Sequence, residues 1–239
     1  MPIITGPRLL SPTEARVSDS TQQAVLGSRV ETLDGRIFRY ARAGSGGALV
    51  AGNLQQAPAI NSKSIDMAVQ AAVAANATVV DVTLASSTAS ANEFADGFLV
   101  INDVDGEGIA YRVGGHPASV TTDLDNVQLT EPIQVALTTS SQVSLINTFR
   151  GVIQCVATTP TGSVVGGADK AYAASDYFWL HTGGPGSVLN ADSAAVGAAL
   201  MQGTTAGAVI AQTAGLPIVG KNLQAHSSGD HRGIFWLLN

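Results

Sequence analysis

Apolar residues in this chain fall in short runs that mostly alternate with polar ones, the period-2 pattern of half-buried strands. Residues 29–42 carry the clearest local signal. Val30 and Leu33 precede Asp34-Gly35, and Ile37, Phe38 and Tyr40 follow. Asp-Gly between two β-rich runs predicts a hairpin with both central turn residues at positive φ. Gly44-Ser45-Gly46-Gly47 then breaks the chain, and residues 48–51 predict a short strand ended by Gly52. Residues 64–76 fit two templates. Ile65, Val69, Ala72, Val73 and Asn76 have helical spacing, whereas Met67, Val69, Ala71 and Val73 fit a strand. The strand is preferred because Asn76-Ala77 resembles a turn and Val80, Val82 and Leu84 then alternate with Asp81 and Thr83.

Further on, Ala91-Asn92-Glu93-Phe94-Ala95 predicts one helical turn. Residues 97–101 and 108–113 predict a strand pair around a turn at Asp103-Val104-Asp105-Gly106. Strands are also expected at 127–129, 133–137, 143–146 and 152–157, with Pro132 marking a kink or an edge. The C-terminal part opens on Tyr177-Phe178-Trp179-Leu180, passes through Gly183-Gly184-Pro185-Gly186 and closes on residues 233–239. The closing run is expected to pair with the Tyr177 run and seal a small barrel, because a chain end frays unless it is tied down. Many short strands between Gly, Asp and Asn turns mean an all-β protein of small barrel or sandwich modules. Residues 1–22, with Pro2, Pro7 and Pro12, predict an extended N-terminal arm ordered by a partner. Thr158-Thr159-Pro160-Thr161-Gly162 marks the expected seam between a β-rich domain, 23–157, and a barrel-like domain, 158–239.

Composition changes this picture in one respect. Charged residues are only 13% of the chain, about half the usual share. A surface so poor in charge points to self-association or assembly; a Ser/Thr/Asn/Gln-rich monomer is the alternative. The net charge of −6 argues against broad nucleic-acid or acidic-membrane binding. Six Arg against four acids make residues 1–45 mildly basic. The single Cys155 allows no internal disulfide and reads as a buried thiol. The start lacks the features of a signal peptide, and no apolar run reaches the roughly 18 residues of a membrane helix. Folding in a cytoplasm is therefore expected. Asn76-Ala77-Thr78 matches a glycosylation sequon, which carries meaning only in a secreted chain.

Candidate chemistry is sparse. Asn102-Asp103-Val104-Asp105-Gly106-Glu107 invites a calcium reading, but with Gly106 at the sixth loop position Ile101 and Arg112 fall where carboxylates are needed. An acidic turn is expected instead. His226 and His231 lie five apart around Ser227, Ser228, Gly229 and Asp230, without the spacing of a helical zinc pair. Ser227, Asp230 and His231 have the composition of a triad but are too close in sequence to stack as one. Arg112 and His116 flank Gly114-Gly115, a surface turn or a binding loop. Gly183-Gly184-Pro185-Gly186 lacks the Lys and Ser/Thr of a phosphate loop and reads as a tight turn at a barrel corner. No catalytic, cofactor or metal residue is assigned. A hydrolase around His181, His226 and Asp230 is the reading from a different class.

Two stretches carry a family resemblance. Leu26-Gly27-Ser28-Arg29-Val30 with Asp34-Gly35-Arg36-Ile37-Phe38-Arg39-Tyr40-Ala41 resembles the N-terminal hairpin of tailed-phage virion proteins. Phe178-Trp179-Leu180-His181-Thr182-Gly183-Gly184-Pro185-Gly186, followed by Val196-Gly197-Ala198-Ala199-Leu200 and Ala206-Gly207-Ala208-Val209, resembles the small β-barrel of phage capsid decoration (cement) proteins. Together they cover about a third of the chain, and residues 60–155 lie largely outside them. The resemblance implies a non-enzymatic protein on the outer capsid surface of a virion. It implies a homotrimer that binds the major capsid protein and stiffens the shell, the basic N-terminal part supplying the contact. The alternative within the structural class is a receptor-binding, fibre-type or tail-tube module, for which Tyr111 and Tyr172 are the candidate recognition aromatics.

Overall fold

In the computed structural model, residues 8–157, 159–213, 215–225 and 227–238 are described. The protein is all-β, apart from two single-turn 3-10 helices at Glu14–Arg16 and Ser62–Ser64. The first strands are β1 (Arg8–Leu10), β2 (Ser18–Asp19), β3 (Arg29–Thr32), β4 (Ile37–Ala43) and β5 (Leu54–Gln56). Then come β6 (Met67–Val69), β7 (Val79–Thr83), β8 (Phe98–Asp103), β9 (Ala110–Gly115), β10 (Asp123–Leu129) and β11 (Gln142–Ile146). The last are β12 (Arg150–Gln154), β13 (Val164–Gly167), β14 (Tyr177–Leu189), β15 (Ala199–Gln202), β16 (Val209–Ala211), β17 (Gly220–Asn222) and β18 (His231–Leu237).

The chain divides into two compact units. Unit 2 is the contiguous segment Ile60–Asn147, and unit 1 is made of Met1–Ala59 and Thr148–Asn239. The expected seam at 158–162 is therefore corrected. Residues 159–162 form a loop inside unit 1, packed where a side chain on Gly162 would strike the carbonyl of Ala57, and the neighbouring Ala57 N donates to Ser163 O at 2.8 Å. Pro and Thr there mark a surface connection between β12 and β13, not a boundary.

Unit 2 is a closed antiparallel barrel in the order β10-β7-β6-β11-β8-β9. Alternation drives it: Val80, Val82 and Leu84 point inward with Leu99, Ile101, Val113, Leu124, Val127 and Leu145. The helical reading of 64–76 gives way to β6 and an isolated bridge from Val73 to Leu137. The expected strand at 133–137 forms no strand: Ile133 and Leu137 enter the core from a loop whose backbone bonds Ala77, Asn76 and Val73. Residues 91–95 form hydrogen-bonded turns rather than a helical turn, with the Phe94 and His116 rings tilted against each other at 5.6 Å.

In unit 1 the pairings β4-β12-β5-β13-β14-β4 close on themselves, making a second, five-stranded ring. The thirteen residues of β14 then outrun the ring. Tyr177 to Gly183 pair with β4, and Gly183 to Leu189 pair with β18, which continues through β17 and β15 to β16. The expected turn at Gly183-Gly184-Pro185-Gly186 is thus the middle of a strand, where β14 changes partners beside a bulge at His181/Gly183. The closing run does seal the sheet, but against Gly183–Leu189 rather than against Tyr177-Phe178-Trp179-Leu180.

The β3–β4 hairpin forms with one difference. Thr32 O accepts from Gly35 N, Thr32 N donates to Arg36 O, and Gly35 alone has positive φ, at 82°. This is a three-residue loop with a glycine bulge, which needs one left-handed residue, not two. Residues 1–7 of the expected arm lie outside the described residues, and the part from Arg8 on, extended apart from its 3-10 turn, lies on its own unit. β1 runs parallel to β3, β2 pairs with β14, and Leu10 and Ala15 are buried with Phe38 and Trp179. Ser11 and Glu14 exchange side chain–backbone hydrogen bonds of 2.9 and 3.2 Å, a capping box that sets the turn between β1 and β2.

Candidate functional site

Where the arm crosses unit 1, a cavity of about 360 Å³ opens between Arg16, Arg36, Ala51, Gly52, Asp169, His181, Gly186, Ser187 and His231. Its centre is Asp169, two residues past the end of β13. Arg16 comes from the 3-10 turn of the arm, Arg36 from the tip of the β3–β4 hairpin, and His181 from the partner-changing part of β14. His181 is fully buried, and its Nδ1 lies 2.9 Å from Asp169 Oδ1. Arg36 Nη1 approaches Asp169 Oδ2 to 3.7 Å and Arg16 Nε approaches it to 4.0 Å. Arg36 also clasps Asp34 through Nε and Nη2, at 3.1 and 2.7 Å. The Arg36 guanidinium, with a hydrogen bond from Thr32, holds the Asp34 carboxyl well below the usual carboxylate range, and Asp34 in turn raises Arg36.

Small residues make the arrangement possible. A Cβ on Gly186 would sit 2.5 Å from Trp236 Nε1 and 2.7 Å from His181 Cε1, so only glycine lets both rings reach the floor under β14. Phe38 stacks on the other face of the His181 ring at 4.7 Å. The second imidazole nitrogen, Nε2, lies 3.0 Å from Gly183 O. Both nitrogens therefore face acceptors, and both bonds form together only when each nitrogen carries a hydrogen. A general base needs a free imidazole lone pair directed at substrate. At His181 that position is taken by the carbonyl, so the cluster acts as a crosslink joining arm, hairpin, β14 and the Asp169 loop.

The residues grouped as a possible hydrolase are not brought together. His181 lines the cavity, whereas Asp230 O accepts from Asn190 N at 2.9 Å and Asp230 does not line it. His226 lies outside the described residues. His231 reaches the cavity edge, and Ser227 is used through its carbonyl, which accepts from Asn190 Nδ2 at 3.1 Å. The partner of His181 that sequence reasoning missed is Asp169. It stands twelve residues away, in Gly166-Gly167-Ala168-Asp169-Lys170, and no local pattern marks it.

The other candidates are structural in setting. Asp105 Oδ2 accepts from Thr138, and Asn102 Nδ2 donates to Asp66 and Ser144. Among the described residues no His/Cys/Asp/Glu cluster could hold a metal ion. His116 is buried, accepts from Phe94 N through Nε2 at 3.0 Å and directs Nδ1 to Pro117 O at 2.8 Å, so it braces a loop. Tyr111 and Tyr172 are both 1% exposed, which removes them as recognition aromatics. Cys155 is buried, and burial pushes its thiol up to about 12. Among the described residues no helix is long and apolar enough to cross a membrane.

No family model, curated protein or solved structure was found to match the chain.

Proposed function

We propose that the chain is a structural virion protein that decorates and stabilises a phage capsid, self-associating as a trimer and binding the major capsid protein through its N-terminal part. The observation that carries this reading is the anchored arm. β1 is the outermost strand of the unit 1 sheet, paired on one side to β3 and open on the other among the described residues. Leu9 on that strand is 60% exposed, while Leu10 and the capping-box turn pin the arm to the core. An open edge on a rigid support is suited to strand addition by a neighbouring protein. Two barrel-forming units and a surface low in charge agree with a role in a lattice.

The test is re-decoration of heads purified from a phage deleted for this gene. Wild-type chain is expected to rebind to saturation, at hundreds of copies per particle on the order of a shell lattice. Removing residues 1–7 together with Leu9→Asp is expected to abolish binding while the thermal transitions stay in place. Deletion of the whole arm is unsuitable, because Leu10 and Ala15 belong to the core. Unchanged occupancy by the variant would sink the arm contact; wild-type chain that ignores the heads would sink the decoration reading.

A further inference from the structure

The outer face of the β14–β18–β17 sheet carries an unusual row. Pro185, Phe235, Lys221 and Ala199 stand directly opposite one another on four adjacent strands. Residues opposite in an antiparallel sheet share a face. Along β18 the alternation puts Arg232, Ile234 and Trp236 inside and leaves Phe235 and Leu237 outside, 43% and 45% exposed. Leu223 lies over Gly233, where a Cβ would meet its own at 3.4 Å, and adds another exposed apolar side chain. Lys221 stands in the middle of this face and makes no ion pair among the described residues. A cation set among exposed apolar groups calls for a partner surface with carboxylates set among apolar groups.

Unit 2 presents such a surface. The β8–β9 turn holds Asp103, Asp105 and Glu107 around Val104, which is 45% exposed. Val135, also exposed, packs on the same turn, 3.6 Å from where Gly106 would carry a Cβ. Val104 has φ of 68°, a costly conformation for a β-branched residue, and such strain collects at contact sites. The charge division points the same way. Unit 1 holds ten Lys and Arg against eight Asp and Glu, and unit 2 holds two against ten.

We infer that a second copy of this chain docks its acidic β8–β9 turn onto the Phe235–Lys221–Leu237 face of the first, head to tail. Two such faces packed on each other would set Lys221 against Lys221, which disfavours a two-fold arrangement. A head-to-tail contact closes into a ring when its rotation allows. The inference rests on the self-association part of the reading above, not on its virion part.

The test is sedimentation velocity of the purified full chain across about 1–100 μM, the range where modest interfaces respond to concentration. Wild-type chain is expected to associate. Phe235→Ser and Lys221→Glu are each expected to weaken association at least about tenfold, as loss of a buried anchor or of charge complementarity does. Lys221 and Phe235 are on the solvent side of the sheet, and Lys221→Glu keeps the test valid if Phe235→Ser lowers stability. Asp105→Lys alone is expected to weaken association, and Asp105→Lys combined with Lys221→Glu to restore it. Wild-type chain that stays monomeric overturns the inference and the self-association reading together, leaving capsid binding to stand. Association that ignores Phe235→Ser and Lys221→Glu overturns the face alone. Association that responds to the face but is not restored by the charge swap overturns the head-to-tail pairing.

Discussion

The two units both hold apolar cores but differ in how much large polar side chain they bury among their strands. Unit 2 fills its closed ring with aliphatic side chains and Tyr111, whose hydroxyl accepts from Gln134 N at 2.9 Å. Its buried amine, Lys63, stays at a loop, 2.7 Å from Glu93 and 3.0 Å from Thr88 O. Unit 1 instead buries Asn53, Gln55, Gln56, His181, Thr182, Asn190, Gln202, Asn222 and Arg232 among its strands. Some of their atoms, including Gln55 Oε1, Gln202 Oε1 and Arg232 Nε, have no partner among the described residues. A barrel held by apolar burial tolerates sequence change as long as volume is kept. One held by a polar network gains specificity of connection and is exposed to the loss of any single partner. The difference suits their parts: unit 1 must tie together an arm, a hairpin and a strand that changes partners, while unit 2 closes within one contiguous segment.

The largest blow to this comparison should come from Asp169→Ala. It strands the buried His181 ring and removes the carboxylate that Arg16 and Arg36 face, Arg36 keeping Asp34, so a loss of about 3–5 kcal/mol is expected, confined to unit 1. In calorimetry the transition of unit 2 should stay where it was; a shift of both would mean the units do not melt separately. Leu99→Ala, fully buried in the unit 2 barrel, should cost about 2–5 kcal/mol and move the other transition.

High pH sharpens the contrast further. Burial raises the Cys155 thiol from its ordinary 9.0 to about 12 and raises the Tyr172 hydroxyl as well, both in unit 1. A group that holds its proton more tightly when folded stabilises fully below its unfolded value and loses that contribution as pH climbs towards the folded one. Unit 1 should therefore weaken from about pH 9 through Cys155 and from about pH 10 through Tyr172 as well, by up to about 1.4 kcal/mol per pH unit for each group. Urea titrations across that range check it, with Cys155→Ala flattening the slope. Gly35→Ala is the mildest change. Nothing lies near a Cβ there, so its cost is the left-handed backbone alone, about 1–2 kcal/mol, read as a small drop in the unit 1 melting temperature.

Unit 2 is also the part most legible in the sequence. Val80, Val82 and Leu84 alternate cleanly, and the turn at Asp103-Val104-Asp105-Gly106 falls where the chain reverses. Unit 1 was legible in its hairpin, in β12, in the start of β14 and in the outline of its closing strand. Its boundary was hidden because β5 and β12, separated by the whole of unit 2, are neighbours. A run of Thr, Pro and Gly looks the same whether it joins domains or crosses a surface. Gly183-Gly184-Pro185-Gly186 was misjudged as a turn because glycine serves close approach as well as chain reversal, and Trp236 and His181 beneath Gly186 are contacts from distant strands. The Asp169–His181 pair shared that fate, since a buried hydrogen-bonded hub leaves no periodic trace.

The nesting of one unit's residues inside the other sets an order of assembly on a ribosome. All six strands of the unit 2 barrel are made before β12, and β6 and β11 lie side by side, so that barrel can close while synthesis continues. Unit 1 must wait: β2 needs Tyr177 and Phe178, and β14 needs β18, the last strand of the chain. Its early half can form the β1–β3–β4 pairings, but the faces and edges that β12, β14 and β18 will cover stay open until then. Chaperone demand, premature self-association and sensitivity to translation speed should all concentrate in that interval, because long-range strand pairing is slow and leaves edges open.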